Sequence, residues 1–459
     1  MASTFLTRTV SGSDSTYTYK KNTVSVWLKR SGLGDACFFE GWYSNAFATQ
    51  VYFDSNANLT INAASGTAGS AFQIVTNRKF RDINSWYHIV ISIDTTDATS
   101  TDRCKIYVNG VRETSFASAS YPNQNASVQW SGTGNTQFVG RRESGGAGLY
   151  YNGSMSYLAY IDGTAELPTI FGETDTTTGQ WKIKTSITPS VAWGNFGFLI
   201  LKDGNSLTDA SPNSNNFTVG AGTLTDTKDC PSNVFATWNV LDSHYFWGAE
   251  ESSWCTNGNT TARTGNSQYS SCTATLGASS GKYYWEFKYV AKSGSDNLWH
   301  LGIKSTQDTA TTTALGVNST DYAYKAYNGQ SMSDNSSSAY GSTYAVGDII
   351  GIAMDLDNNK LYFSKNGTWQ NSGVPTSGST GTGAISIAAA STTEFGVYVP
   401  AFSWNDGSSY GTNSVNFGNG FFGTSAVADN STATASTPGV FNYAVPTGYQ
   451  PLSTKGLNA

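Results

Sequence analysis

Glu173 and Asp175, two acids one residue apart in FGETDTTTG, have the residue types for glycoside hydrolysis. A retaining mechanism there uses two carboxylates about 5 to 5.5 Å apart. Alternation along a strand would put residues i and i+2 on one face, but the threonine-rich surroundings read as a loop. Glu286 stands in a strand pattern between Trp285 and Phe287, with no second acid beside it. Gly277-Ala278-Ser279-Ser280-Gly281 matches the G-x-S-x-G nucleophile elbow. That motif needs a helix after it, and a strand pattern follows here. Gly418-Asn419-Gly420-Phe421-Phe422-Gly423 has the spacing of a dinucleotide fingerprint without a βαβ unit to hold a pyrophosphate. Asp355-Leu356-Asp357-Asn358-Asn359 begins like a calcium hand, but Lys360 takes the glycine position and no Glu closes the loop. His88, His244 and His300 are isolated from one another, against a zinc site. The sequence thus offers no catalytic residue and no cofactor.

Recognition chemistry has more material. A sugar ring presents C–H patches and hydroxyls, so its site needs flat aromatic faces beside neutral hydrogen-bonding groups. Aromatic residues make up 14% of the chain, and Ser, Thr and Asn crowd the stretches between short apolar runs. The loop candidates for carbohydrate binding are Trp42, Tyr43, Arg141, Tyr150 and Tyr151 in the first half. In the second half they are Tyr327, Trp369 and Trp404.

The elements that must position these residues are strands. Val24, Val26 and Leu28 alternate with Ser25, Trp27 and Lys29, and Tyr87, Ile89, Ile91 and Ile93 alternate with His88, Val90 and Ser92. Ile350, Ile352, Met354 and Leu356 alternate likewise with Ile349, Gly351, Ala353 and Asp355. Asn109-Gly110 and Asn366-Gly367 predict two-residue hairpin turns, because both residue types accept positive φ. Five cysteines, an odd number, argue against a disulfide framework, and Cys104 is expected in a core. Cys255 and Cys272 flank a turn-rich segment and could face each other, bridged or not. No heptad run or short repeat is present.

These pieces resemble two known families. SGKYYWEFKYV followed by YGSTYAVGDIIGIAMDLDNNKLYFSKNG resembles the SPRY domain, a β-sandwich that binds partners through its loops. NTVSVWLKRS, SWYHIVISID, CKIYVNGVRE and YYNGSMSYLAYIDG, in that order, resemble a laminin-G-like or concanavalin-A-like jelly roll. The implied fold is all-β, two antiparallel β-sandwiches in series. The expected boundaries are a jelly roll over 1–222, an ordered linker or strap over 223–250, and a SPRY-like domain over 251–459. Laminin-G-like domains often hold one structural calcium ion through an Asp and backbone carbonyls. Asp54 or Asp162 could serve, and the sequence identifies no metal ligand.

Composition agrees with two domains of this class, since β-sandwiches often reach 200 to 250 residues. Charged residues are 13% of 459 and the net charge is −6. No basic run is present to displace counterions from phosphates, which argues against nucleic acid. No apolar stretch is long enough for a membrane span, and Met1-Ala2-Ser3-Thr4-Phe5 lacks the form of a signal peptide. MASTFLTRTV, NRKFRDINSWYHIVISIDTTDATSTDR and FGETDTTTGQWKIK resemble virion proteins of tailed phages of marine and freshwater bacteria. That resemblance implies a non-enzymatic tail fibre or other appendage, made in the host cytoplasm and displayed in multiple copies or as a homo-oligomer on the virion surface. Its implied partners are host-surface glycan or receptor and other virion proteins. A capsid or tail decoration protein is the first alternative, and a glycan depolymerase the second.

Overall fold

The computed structural model describes residues 4–12, 19–65, 71–83, 85–128, 130–146, 148–202, 206–244, 254–265, 270–295, 297–306, 314–404, 409–429 and 439–458. The chain divides into two compact units, Met1–Asp226 and Thr227–Ala459. Both are built from antiparallel sheets packed face to face. Among the described residues no helix is long and apolar enough to cross a membrane.

In the first unit the strand Lys21–Arg30 pairs along its length with Trp86–Asp94 on one side and Gly153–Asp162 on the other. Its β-branched and leucine positions, Val24, Val26 and Leu28, turn inward as the alternation predicts. They meet Phe39, Val51, Phe53, Leu59 and Ile61 from an eight-stranded sheet, so six strands face eight across one core. Cys104 lies in that core, 2% exposed. Asn109 and Gly110 have φ of 49° and 80° and join Val108 to Val111, a two-residue hairpin. The sheet closes end to end: Phe5–Thr9 pairs with Thr218–Ala221, and the Thr4 hydroxyl donates to Thr223 O, 219 positions away.

In the second unit seven strands face a nine-stranded sheet. Ile350, Ile352, Met354 and Leu356 enter the shared core with Trp285, Phe287, Leu301 and Phe402. The opposite face of Ile349–Asp355 is covered as well, so all seven of its residues are buried. Ala353 packs there with Tyr284 and Tyr362 beneath Phe441 and Tyr449, which a returning C-terminal strap carries. That strap places Gln450–Pro451 parallel to Lys282–Lys292. Asn366 and Gly367 form the expected hairpin, with φ of 49° and 82°.

The segment expected as an ordered linker, 223–250, is divided differently. Phe235, Ala236 and Trp238 are buried in the second core, and Trp238–His244 is a strand of its sheet paired with Ser270–Ala274. A register shift between Trp238 and Ser243 removes the period-two signal that would have marked this strand. The chain closes this unit too, for Phe235 bridges Ser453 and Val234 N–H donates to Thr454 Oγ1, 220 positions on. Residues 245–250 lie outside the described ones.

Candidate functional site

On the eight-stranded sheet, Leu6, Val139 and Phe39 enter the core. Alternation therefore turns Phe5, Phe138 and Trp42 to the outer face. Phe5 and Phe138 lie 6.0 Å apart, and Trp42 meets Phe138 edge-on at 6.5 Å. Residues 140–146 and 148–151 return over this face, where Arg141 and Tyr150 form an antiparallel bridge. Tyr150 reaches Phe5 at 6.3 Å. The Arg141 guanidinium sits 4.7 Å from the Phe5 ring centre, 5.5 Å from Phe138 and 6.0 Å from Tyr150. It also pairs with Glu143. Several cation–π contacts at about 0.5–1 kcal/mol each outweigh one partly exposed ion pair at about 0.2–1 kcal/mol. The rings therefore hold Arg141, and Glu143 neutralises it.

Glu40, 0% exposed, lies on the same outer face, between Phe138 and Gln50 on the neighbouring strands. Its carboxylate accepts the backbone N–H of Glu143 (2.5 Å) and of Ser144 (3.2 Å). Ser144 Oγ donates to Gln50 Oε1 at 3.3 Å and Gly145 N–H to Asn45 Oδ1 at 3.2 Å. Burial raises the Glu40 pKa, while these hydrogen bonds and the Arg142 charge pull it down. The indole N–H of Trp42 and the Nε–H of Arg141 are buried without an acceptor among the described residues, so neither is offered to the surface. The result is a net-neutral patch on which Trp42, Arg141, Glu143 and Tyr150 stay partly exposed over the buried rings of Phe5 and Phe138, an aromatic and polar mixture able to take a ring with hydroxyls.

Three of the expected residues, Trp42, Arg141 and Tyr150, are thus brought together. Tyr43 is 58% exposed and packs edge-on against Phe47 at the hairpin end. Tyr151 turns to the core side, where its hydroxyl reaches Ser154 O. Phe5, Phe138 and Glu40 were missed. The signal for Glu40 was present in CFFEGWYS, a lone acid inside an aromatic strand.

The second-unit candidates do not converge. Tyr327 is 48% exposed and stacks on His300 at 6.3 Å. Trp369 packs on Tyr284 and Tyr362 on the other sheet, under the strap. Trp404 is corrected outright: it is 0% exposed, 4.9 Å from Trp299, with its N–H donated to Ser409 O. It ends Val399–Trp404 on the same inward face as Phe402.

The possible chemistry elsewhere is tied up in structure. Glu173 and Asp175 share Lys182 at 3.5 and 3.2 Å. Glu286, 0% exposed, accepts the N–H groups of Asn442 and Tyr443 at 2.8 Å each, Asn416 Nδ2 at 3.3 Å and the Tyr284 hydroxyl at 3.2 Å. Burial moves its pKa up to about 7. Gly277–Gly281 joins two strands, and Asn416 Oδ1 holds the glycine-rich loop through Gly418 and Gly420 N–H. Asp355 pairs with Lys282 and caps Asn358. His88 is buried between Ser25 and Trp181; the Trp181 N–H donates to Nδ1, so Nε2–H donates to Ser25 Oγ and the ring is neutral. The side chain of His244 lies outside the described residues. Asp54 spends Oδ1 on the N–H groups of Asn56 and Asn58, and Asp162 is 1% exposed. Among the described residues no three His, Cys, Asp or Glu side chains converge.

Comparison with known proteins places these features. Residues 7–166 match the concanavalin A-like lectin/glucanases superfamily, and residues 282–415 match the SPRY domain. Ran-binding protein 9 of Danio rerio is 34% identical over 91 residues, 20% of this chain and 15% of that protein. The Homo sapiens protein is 35% identical over 91 residues, 20% of this chain and 12% of its own. Among solved structures, the SPRY domain of human HERC1 is 16% identical with a TM-score of 0.29, covering 39% of this chain and 96% of that one. A heptameric SAP-like pentraxin from Limulus polyphemus is 18% identical with a TM-score of 0.24, covering 36% and 77%.

Proposed function

We propose, from a chain that joins a concanavalin A-like domain to a SPRY domain, a non-enzymatic adhesion protein that binds a host-surface glycan through its first unit. The convergence of Trp42, Arg141 and Tyr150 on one outer face carries this reading. A sugar ring would lie against the aromatic edges, and the Arg141–Glu143 pair would exchange hydrogen bonds with its hydroxyls without imposing net charge. The setting is the surface of a tailed-phage virion, as a tail fibre or other appendage. Many copies would raise weak single-site binding by effective concentration.

The SPRY domain favours a second role, contact with other proteins of the same particle, and a pure decoration protein would use that role alone. A glycan array with purified, multimerised protein separates the two. Binding that falls when Trp42 and Tyr150 are replaced by Ala supports adhesion. No glycan or host-cell binding, together with capture by particles lacking the protein, overturns it in favour of decoration. Release of reducing sugar would instead support a depolymerase.

A further inference from the structure

Among the described residues each unit contains one fully buried glutamate on an outer sheet face that grips a returning segment by two consecutive backbone N–H groups. In the first unit Glu40 holds Glu143 and Ser144; in the second Glu286 holds Asn442 and Tyr443. A buried carboxylate is costly unless its oxygens are satisfied, and here backbone donors do so. The two grips serve different neighbours. Glu286 fastens the strap that roofs Tyr284, Ala353 and Tyr362. Glu40 fastens the segment that carries Arg141 and Tyr150, next to Phe138, the ring that Trp42 and Arg141 share.

We infer that Glu40 is a positioning residue for the candidate binding face: through the backbone of Glu143 and Ser144 it fixes where Arg141 and Tyr150 stand against Phe5, Phe138 and Trp42. This rests on the glycan reading of the first unit. Glu40 itself is covered by the segment it holds and touches no ligand. Gln at this position keeps one acceptor oxygen and turns the other into a donor, so one of the two N–H groups loses its partner. Ala removes both acceptors.

The test compares wild type, Glu40→Gln, Glu40→Ala and, as a control for a generic loss of a buried carboxylate, Glu286→Gln, all in the full chain. Hydrogen exchange reads the Glu143 and Ser144 amides, and immobilised cellohexaose, chitohexaose and maltohexaose serve as binding probes. Protection at 143–144 is expected to fall in the order Glu, Gln, Ala, roughly tenfold per lost hydrogen bond. Sugar binding is expected to fall in the same order well below the melting temperature, while Glu286→Gln leaves it unchanged. Unchanged exchange at 143–144 in both Glu40 variants overturns the inference. So does loosened exchange with full binding, or an equal binding loss in Glu286→Gln. If wild type binds none of the three sugars, the glycan reading loses its support. The positioning role is then decided by exchange across 141–150, which must quicken in Glu40→Ala and stay unchanged in Glu286→Gln.

Discussion

Asn109 and His88 exchange two hydrogen bonds in which one acceptor is a side chain. Asn109 N–H donates to His88 O at 2.9 Å, and His88 N–H donates to Asn109 Oδ1 at 2.8 Å. Asn366 and Ile349 repeat the arrangement in the second unit, both bonds at 2.8 Å. The asparagine enters the turn at positive φ, and its amide oxygen serves a strand N–H that the turn would otherwise leave unpaired.

Replacing the glycines after these asparagines should therefore destabilise. A Cβ on Gly110 would stand 2.5 Å from the Trp181 ring, and one on Gly367 would stand 2.7 Å from Tyr443, both at positive φ. Gly110→Val and Gly367→Val are each expected to cost more than about 1 kcal/mol in the unit that carries them. Chemical denaturation measures it, and unchanged transitions for both would refute the turn assignment.

The buried titratable groups set opposite pH trends. His88 is held down to about 3 by burial, below its ordinary 6.5. Its contribution to stability is full above 6.5 and is lost as pH falls towards 3. Glu286 runs the other way: with a folded value of about 7 against 4.5, its contribution is full below 4.5 and is lost as pH rises through 7. His300, held down to about 4, opposes Glu286 in the second unit between 4.5 and 6.5. In calorimetry between pH 8 and 4, His88→Gln should flatten the acid loss of the first unit, and Glu286→Gln should flatten the alkaline loss of the second. Parallel profiles for wild type and variant would contradict the assigned charge states.

All five cysteines are free, and Cys37, Cys104, Cys255 and Cys272 are buried. Burial pushes the Cys104 thiol up to about 12 and the Cys37, Cys255 and Cys272 thiols up as well. Cys255 and Cys272 share the second core without a bridge. A thiol reagent should label Cys230 alone in the native protein and the other four after unfolding, and reductant should leave melting unchanged. Rapid native labelling of a second thiol would disprove this.

Binding should depend on aromatic contact rather than ion pairing. Trp42→Ala and Tyr150→Ala are expected to abolish host-cell attachment, while the amides of Glu173 and Asp175 leave it intact. Raising salt to 1 M shortens the screening length to about 3 Å and should weaken attachment little. Trp404→Ala belongs to another class, a core truncation expected to cost about 3–5 kcal/mol in stability. Attachment lost at high salt but kept without Trp42 and Tyr150 would overturn the site.

Much of the fold was legible because alternation and hairpin chemistry are local. Val24 to Leu28, Ile350 to Leu356 and both Asn-Gly turns declare themselves within a few residues. The strand at Trp238 was hidden by its register shift, and the cover on Ala353 was hidden because Phe441 and Tyr449 come from far along the chain. Trp404 looked like a loop residue because its sequence neighbours are Asn405 and Asp406, whereas its burial is set by Trp299 and Gly411. Of the binding face, the residue types were readable, but the meeting of Trp42, Arg141 and Tyr150 depends on the Glu40 grip, a contact between distant segments.

The closure of each sandwich by its own first and last segments bears on how the chain is made. Thr4 meets Thr223, and Val234 meets Thr454. A ribosome delivers the opening segment of each unit long before its mate, so the eight-stranded sheet of the first unit gains its edge strand Thr218–Ala221, and the second unit its Phe235–Ser453 bridge, only when that unit is almost fully synthesised. Such late, non-local pairing is intrinsically slow and leaves unpaired strand edges open to neighbouring nascent chains. Each unit also receives and releases the chain at nearly one point, so a pull on the two ends of a unit would load these terminal contacts before its core.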